Sequence, residues 1–336
     1  MEEPSYCFEI KKVARLVKVI GARRVLVQLP EGMKRYAPFL HSELKSLVPE
    51  ATILFLGDPT YGPCDIALKQ AEALGVDIII HYGHPPAKIP QLKIPTLFLP
   101  AYSKIRPQKA LKELVKTLKE LEASRVGLSA VIQHQSLLSE LSAYLRREGF
   151  EVMIGSSTTL PPGVILGCDY QACLRIDDMV DAHIIIAGGL FHALGLRCLT
   201  HKPVFALDPY RDQVVDVEKE YRRLYAVRLS RLIQLEKAKT FGVLMCTKSG
   251  QLNLNLAMKI RRLIEEHGRE AIIIAVDNVN PEWLASFENI DAFVNTCCPR
   301  LSLDDGTIYG KPIIAPYELM LVFSKDLLSY RPRVSL

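Results

Sequence analysis

The chain has 336 residues, of which 49% are hydrophobic and 24% are charged, a composition typical of a soluble globular protein. This length exceeds that of an ordinary domain with a single hydrophobic core and predicts two or three domains. No apolar run reaches the roughly 18–20 residues that span a bilayer, and no apolar segment typical of a signal peptide follows the acidic N-terminus. We therefore expect a cytoplasmic protein without a membrane partner.

The charge and the cysteine content exclude two further classes of protein. A formal net charge of +5 is mild, and no basic tract with interleaved aromatic residues is present, so we expect no direct binding of nucleic acid. Eight cysteines in a chain without a secretion signal argue against a disulfide framework. Free thiols, either structural or ligating, are the alternative.

Short apolar runs alternate with segments of helical period along the whole chain. The runs predict strands at 24–29, 52–56, 77–81, 96–99, 125–128, 151–154, 183–186, 203–207, 241–245, 271–275, 292–294 and 312–315. The helical segments are 8–19, 36–47, 66–74, 108–121, 136–147, 217–237 and 255–267. Nearly continuous apolar strands that alternate with helices are typical of parallel βαβ units in which both sheet faces are covered.

The spacing of particular residues indicates an internal repeat. Cys64 precedes Asp77 by 13 residues, and Cys168 precedes Asp181 by the same 13. Each of these aspartates comes just before an apolar strand, as Asp291 does later in the chain. The simplest interpretation is three similar α/β domains of about 100 residues each, at 1–105, 106–215 and 216–336.

The repeat predicts that three cysteines lie at equivalent edges of the three sheets. Cys64 and Cys168 follow the second strand of their domains, and Cys298 follows the third strand of its domain. Ligands of parallel α/β domains bind at the carboxyl ends of the strands, so three thiols could meet if the domains pack around a pseudo-threefold centre. Such a set suits a catalytic zinc ion or a [4Fe–4S] cluster with one open iron. Three unrelated buried thiols are the alternative.

The sequence segments around the cysteines resemble those of a known family. Gly57-Asp58-Pro59-Thr60-Tyr61-Gly62-Pro63-Cys64-Asp65, Val164-Ile165-Leu166-Gly167-Cys168 and Asn295-Thr296-Cys297-Cys298-Pro299-Arg300 are similar to the three cysteine motifs of the diphthamide-synthesis family, the archaeal 2-(3-amino-3-carboxypropyl)histidine synthases. The resemblance extends to 27–32, 188–192 and 247–251. It implies three homologous α/β domains that each give one cysteine to a central cluster.

The resemblance also implies which thiols hold the cluster. Cys64, Cys168 and Cys298 match the ligands of the family, and Cys298 is preferred to Cys297 because the motif places its ligand directly before the Pro-Arg pair. Cys297 is a local departure from the family pattern. Cys173 falls in the following helical segment and is a less suitable ligand than Cys168. We interpret Cys7, Cys198 and Cys246 as structural thiols.

The activity implied by the resemblance is the first step of diphthamide biosynthesis. The enzyme is then a transferase that moves the 3-amino-3-carboxypropyl group of S-adenosylmethionine to C2 of a histidine in translation elongation factor 2. Imidazole C2 is a poor nucleophile, so a radical mechanism dependent on the [4Fe–4S] cluster suits this reaction. The conventional CxxxCxxC loop of radical S-adenosylmethionine enzymes is absent, as in the family. No catalytic residue beyond the cluster ligands is expected.

Several other residues are candidates for holding the S-adenosylmethionine. Arg300 is the best candidate for pairing with the methionine carboxylate or with a charged cluster edge. The remaining candidates follow strand ends, where glycine turns present backbone groups to a ligand or side chains can line the crevice. They are Gln28, Gly188, Gly189, His192, Lys248, Gly250 and Gln251.

Two other functions remain open at this point. One is a quinolinate synthase-like enzyme, which also places three cysteines of a three-domain α/β chain on one cluster. The other is a cluster-bearing accessory subunit that needs a second, different chain. Because all three ligand cysteines belong to one chain, we expect a homodimer that acts by itself with an external electron donor.

Overall fold

The computed structural model describes residues 4–86, 92–304 and 308–334. Three parallel sheets follow one another along the chain, each formed by a contiguous segment. We call these segments, with their helices, the first, second and third units. The three-domain α/β fold expected from the sequence is confirmed, whereas the domain limits 1–105, 106–215 and 216–336 stay a prediction.

The first unit consists of a four-stranded sheet with helices on both faces. Its strands are β2 (Arg24–Gln28), β3 (Thr52–Phe55), β4 (Ile78–Tyr82) and β5 (Thr96–Leu99). Its helices are α1 (Ile10–Val19), α2 (Ala37–Leu47) and α3 (Leu68–Leu74), with a 3₁₀ helix at Glu31–Tyr36. Two short strands, β1 (Tyr6–Cys7) and β6 (Tyr102–Ser103), pair with each other beside this sheet.

The second unit consists of a five-stranded sheet. Its strands are β7 (Arg125–Ala130), β8 (Glu151–Met153), β9 (Ala182–Ile186), β10 (Val204–Asp208) and β11 (Gln213–Asp216). Its helices are α4 (Lys109–Glu120), α5 (Leu137–Arg147), α6 (Gln171–Leu174) and α7 (Phe191–Arg197), with 3₁₀ helices at Ile132–His134 and Asp177–Met179. The antiparallel edge strand β11 was not predicted from the sequence.

The third unit consists of a four-stranded sheet. Its strands are β12 (Thr240–Cys246), β13 (Glu270–Val276), β14 (Ala292–Asn295) and β15 (Ile313–Ile314). Its helices are α8 (Glu218–Gln234), α9 (Leu254–Glu266), α10 (Pro281–Ala285), α11 (Pro299–Asp304) and α12 (Pro316–Ser324), with 3₁₀ helices at Leu235–Lys237 and Leu327–Ser329. Every helix in the described ranges is too short or too polar to cross a bilayer.

The three sheets share one strand order. The orders are β3-β2-β4-β5, β8-β7-β9-β10-β11 and β13-β12-β14-β15, so the second strand of each unit lies at an edge and the third strand lies beside the first. These neighbours are parallel throughout, apart from β11. The strand order therefore supports the repeat inferred from residue spacing.

Each sheet is buried on both faces, as its continuous apolar strands predicted. In β4, Ile78 and Ile80 pack in one hydrophobic cluster, and Ile79 packs in another on the opposite face. In β9, Ile185 likewise faces away from its two neighbours. This alternation follows from the two-residue period of a strand, and it leaves the carboxyl edge as the free side of each sheet.

The repeated aspartates have the same structural task in all three units. The Asp77 carboxylate accepts hydrogen bonds from the backbone N–H groups of Arg23 and Arg24 at the start of β2, at 2.7 and 2.8 Å. Asp181 does the same at the start of β7, and Asp291 at the start of β12. These hydrogen bonds lower the pKa of each carboxyl group below its usual value. Each aspartate therefore fixes the first strand of its unit next to the third.

We predict that replacing Asp181 by alanine lowers the melting temperature and that the difference shrinks in acid. The folded-state pKa is lowered, so the carboxylate stabilises the fold above the unfolded pKa of about 4 and loses that effect as pH falls through the folded pKa. Thermal unfolding followed by circular dichroism at pH 6 and pH 3 measures this. The exposed Asp178, replaced by alanine, is the control. A deficit for Asp181→Ala that is as large at pH 3 as at pH 6 would contradict the prediction.

Candidate metal and cofactor site

The three expected cysteines all lie at carboxyl ends of strands. Cys64 lies in the loop between β3 and α3, and Cys168 lies between β8 and α6. Cys298 lies between β14 and α11, directly before the helix starts. Cys64 and Cys298 are half-buried, and Cys168 is exposed. One thiol from each unit is therefore open to a ligand at the sheet edge where α/β proteins bind their ligands.

The electrostatics indicate that these three thiols are close to one another. Burial raises the pKa of Cys298 to about 12, and the neighbouring Cys64 and Cys168 contribute to the rise. Cys168 is open to solvent on one side, yet the atoms packed around it and the nearby Cys64 raise its pKa to about 11. In the described part of the chain, no three His, Cys, Asp or Glu side chains converge closely enough to bind a single metal ion. The three thiols are thus neighbours that do not meet at one point, and we call the space between them the cleft.

Other cysteines near this cleft have partners elsewhere. Cys173 is fully buried and donates its S–H to the Ser129 hydroxyl at 3.3 Å. Cys297 is buried in the core of the third unit and donates to the carbonyl oxygen of Leu244 at 3.5 Å. Cys297 also shares a hydrogen bond with Cys246, which lowers the pKa of Cys246 and raises that of Cys297. The geometry therefore favours Cys168 and Cys298 over their neighbours as ligands.

A loop of the third unit packs directly on the Cys64 loop of the first. The Gly250 N–H donates to the Cys64 carbonyl oxygen at 3.0 Å, and the Gln251 side-chain amide donates to the Cys64 sulfur at 3.2 Å. A Cβ atom on Gly250 would lie 2.5 Å from the Cys64 Cα, so only glycine fits this contact. Lys248 forms an ion pair with Asp65 at 2.7 Å, with both side chains largely buried.

The side chain of Gln28 forms two hydrogen bonds with the backbone of the Cys64 loop. Its side chain is fully buried at the end of β2, where its amide N–H donates to the Asp65 carbonyl oxygen at 3.0 Å. Its carbonyl oxygen accepts the N–H of Ala67, also at 3.0 Å. These two bonds fix the backbone on the C-terminal side of Cys64. The structure therefore gives Gln28 a role in shaping the loop, while direct contact with a cofactor stays a prediction.

Arg300 joins the third unit to the second. Its guanidinium group donates to the Phe191 carbonyl oxygen at 2.7 Å and to the Tyr170 hydroxyl at 3.3 Å. It also lies over the Phe191 ring, 3.8 Å from the centroid. A Cβ atom on Gly195 would lie 1.9 Å from this guanidinium. The guanidinium can therefore pack against α7 only because residue 195 is a glycine. These contacts fix the helix that begins directly after Cys298.

The remaining candidates lie near the start of α7. Gly189 has a positive φ of 72°, and its N–H donates to the Asp208 carboxylate at 2.9 Å. A Cβ atom on Gly188 would lie 3.1 Å from the Tyr210 ring. His192 is half-buried, and its Nδ1 atom is buried without a hydrogen-bond partner in the described structure. Burial, together with Arg300 and His84, lowers the pKa of His192 to about 3, so this ring is neutral.

A cavity of about 490 Å³ opens beside Cys298. Small-molecule sites usually measure about 300–1,000 Å³, so this cavity has the size of a cofactor site. It is lined by four of the expected residues, Lys248, Gln251, Cys298 and Arg300. Cys246 and Cys297 also line it. The lining residues that were not proposed as site residues from the sequence are Tyr61, Phe191, Asp277, Asn278, Val279, Pro281, Leu301, Ile308 and Tyr309.

The fold and the site together define a three-unit α/β protein that presents one cysteine from each unit at a common cleft. A sequence profile of the family described as "Putative diphthamide synthesis protein" matches residues 29–331. The chain belongs to this diphthamide-synthesis family.

Named relatives cover nearly the whole chain. The 2-(3-amino-3-carboxypropyl)histidine synthase of Pyrococcus horikoshii is 37% identical over 315 residues, which are 93% of this chain and 89% of the relative. Subunit 1 of the Saccharomyces cerevisiae synthase is 28% identical over 334 residues, covering 96% of this chain and 76% of the subunit. The crystal structure of Dph2 from Pyrococcus horikoshii with a 4Fe-4S cluster matches with a TM-score of 0.85 and 34% identity, covering 97% of this chain and 93% of that one.

We predict that Gly250→Ala separates the third-unit loop from Cys64. The added Cβ would meet backbone atoms that cannot move aside, and overpacking of this kind typically costs about 1–3 kcal/mol. We expect a lower melting temperature and faster alkylation of Cys64 in the metal-free protein, measured by mass spectrometry after iodoacetamide treatment. Gly57→Ala is the matched control, because a Cβ there meets open space. Equal alkylation rates in the two variants would contradict the prediction.

Proposed function

We propose that this chain is a 2-(3-amino-3-carboxypropyl)histidine synthase, which carries out the first step of diphthamide biosynthesis. It transfers the 3-amino-3-carboxypropyl group of S-adenosylmethionine to C2 of a histidine in translation elongation factor 2. The observation that carries the proposal is the set of three cysteines, one from each unit, at one cleft of a chain 37% identical to a synthase of that name.

Cys64, Cys168 and Cys298 would hold a [4Fe–4S] cluster. Such a cluster takes one thiolate on each iron, so its ligands surround it rather than converge on one atom. Three thiols that share a cleft without converging on one ion suit this requirement better than they suit a single zinc ion, which needs its ligands within one tetrahedral shell. Three thiolates also leave one iron without a protein ligand.

When bound, such a cluster supplies the one-electron reduction that breaks the bond between the sulfonium and the 3-amino-3-carboxypropyl group, leaving 5′-methylthioadenosine. The chain itself supplies the position of the substrate. The cavity beside Cys298 would hold S-adenosylmethionine, with Lys248 and Gln251 on its wall. Arg300 reaches the same cavity while its guanidinium holds α7, and it would give the methionine carboxylate a positive neighbour.

The other expected residues would act around this cavity. Gly250 and Gln251 would hold Cys64 in place, and Gln28 would fix the backbone that follows it. Gly188 and Gly189 would allow close approach at the end of β9. The neutral His192, whose Nδ1 is buried without a partner among the described residues, would offer a hydrogen bond to cofactor or substrate.

The partners follow from the reaction. The substrate is a protein, elongation factor 2, and the reduction needs an external electron donor. We propose a homodimer that works in the cytoplasm, where translation takes place. Because all three ligand cysteines belong to one chain, each protomer would hold its own cluster.

The direct test uses the chain alone. Anaerobically purified protein is incubated with dithionite, elongation factor 2 and S-adenosylmethionine labelled in the carboxypropyl group. We expect label on the factor and release of 5′-methylthioadenosine. Label that appears only when a second, different subunit is added would replace the proposal by an accessory role, and a preparation that binds zinc but no iron would exclude the cluster.

We predict that Cys64→Ala, Cys168→Ala and Cys298→Ala each lose most of the iron, which should be about four per chain in the wild type. Cys173→Ala and Cys297→Ala should keep it, because both sulfurs have partners within their own units. Iron and sulfide analysis beside electron paramagnetic resonance of the reduced protein measures this. Normal iron in Cys298→Ala with loss in Cys297→Ala would reverse the assignment in the third unit.

A further inference from the structure

One end of the cavity beside Cys298 is formed by oxygen atoms that accept hydrogen bonds. Asp277 follows β13 directly, and its side chain is 44% exposed. Its Oδ1 accepts from the Thr247 hydroxyl at 3.0 Å and from the Lys69 ammonium at 3.3 Å. Burial alone would raise the pKa of Asp277, but Thr247, Lys248 and Lys69 lower it, so a carboxylate faces the cavity at neutral pH.

Asn278 adds a second acceptor at the same place. Its side-chain carbonyl oxygen is buried without a hydrogen-bond partner among the described residues, and the residue lines the cavity. A buried amide oxygen without a partner is unfavourable in a native structure unless a water or a ligand supplies a donor. The pair therefore favours a ligand group with two adjacent donors.

The sheet separates this pair from the cysteine. Cys246 pairs with Val276 and Leu244 pairs with Asn295, so β13 and β14 flank β12 on opposite sides. Neighbouring strands lie about 4.8 Å apart, so the ends of β13 and β14 are separated by about 10 Å. A ligand whose reacting end lies near Cys298 thus places a more distant part near Asp277.

The cavity wall between these ends has an apolar portion. Val279, Pro281 and Ile308 contribute aliphatic surface, and Tyr309 packs among them with its hydroxyl donating to the Val279 carbonyl oxygen at 3.4 Å. This surface suits the face of a flat aromatic base. The smaller neighbouring cavity, of about 180 Å³, also touches Asp277 and Asn278 but lies below the size range of small-molecule sites.

We propose that Asp277 and Asn278 form the ribose site, accepting hydrogen bonds from the 2′ and 3′ hydroxyls of the adenosine part of S-adenosylmethionine. The inference rests on the proposed function. A carboxylate after the second strand of a βαβ unit is a common acceptor for ribose hydroxyls, and β12, α9 and β13 form such a unit here.

The test measures binding of 5′-methylthioadenosine, which has the adenosine but lacks the amino acid part, to iron-loaded protein by calorimetry. Its 2′-deoxy and 3′-deoxy analogues are measured beside it. The wild type should bind the parent compound about tenfold or more tightly than the 2′-deoxy analogue, as is usual when a charged hydrogen bond is lost. Asp277→Asn should weaken the parent by a similar factor, change the analogue's affinity by less than about threefold, and so lose the discrimination.

Two controls separate ligand contact from structural damage. Lys69→Met removes the contact from the first unit to Asp277 and should keep the discrimination. Glu282→Gln removes a charge from the exposed start of α10 and should change nothing. Iron content measured on every variant reports whether the site is intact.

Three results would overturn the inference. Equal weakening of the parent and the analogues in Asp277→Asn would make Asp277 a structural residue. If Asp277→Asn bound S-adenosylhomocysteine more weakly but bound 5′-methylthioadenosine as the wild type does, Asp277 would contact the amino group of the amino acid part rather than the ribose. A wild type that binds no 5′-methylthioadenosine would exclude the ribose site, whereas labelling of elongation factor 2 decides the proposed function separately.

Discussion

The contact between Gly250 and the Cys64 backbone is the constraint on which the geometry of the site depends. Three thiols from three separate sheets can share a cleft only if the loops that carry them are fixed relative to one another. Here the third unit donates a backbone hydrogen bond to Cys64, a side-chain hydrogen bond to its sulfur and an ammonium group to the next residue. A buried ion pair such as Lys248–Asp65 adds direction more than net stability, because desolvation offsets much of the attraction. The contact is close because Gly250 has no side chain.

Arg300 fixes the other side of the cleft by a different means. Its guanidinium group contacts the carbonyl oxygen and the ring of Phe191 in the second unit, and Gly195 leaves room for it. Arginine suits this position because its planar group can donate in several directions and stack at the same time. The cleft is therefore fixed on two sides, by Arg300 between the third unit and the second and by the 247–251 loop between the third unit and the first. The same contacts therefore pack the units against one another and position the cysteines.

Much of this could be predicted from the sequence, because the signals were local. Apolar runs located the strands to within one or two residues in most cases, and the 13-residue spacing located Asp77 and Asp181, whose matching hydrogen bonds explain the spacing. The contacts between units were not visible, because they join residues over a hundred positions apart. Arg300 beside a cysteine suggested a ligand for a carboxylate, whereas Phe191, 109 residues away, takes much of its hydrogen bonding. Asp277 could not be identified from the sequence, because an aspartate after a strand is common. Only the structure shows the cavity beside it.

The third unit departs from the repeat, and this departure accounts for the position of the cavity. In the first two units the cysteine follows the second strand, at the edge of the sheet, whereas in the third unit Asp277 follows that strand and the cysteine has moved to the third strand. In the first unit His84 lies seven residues after Asp77, as Cys298 lies seven residues after Asp291 in the third. The His84 ring lies 3.0 Å from that of His81 and is neutral because burial lowers its pKa to about 4. Three units with cysteines at identical positions would surround a cluster symmetrically and give no sheet edge a distinct second function. Because the cysteine of the third unit follows β14 instead of β13, the chain still provides three ligands. The end of β13 is then available for Asp277 to contact the substrate that reacts at the cluster.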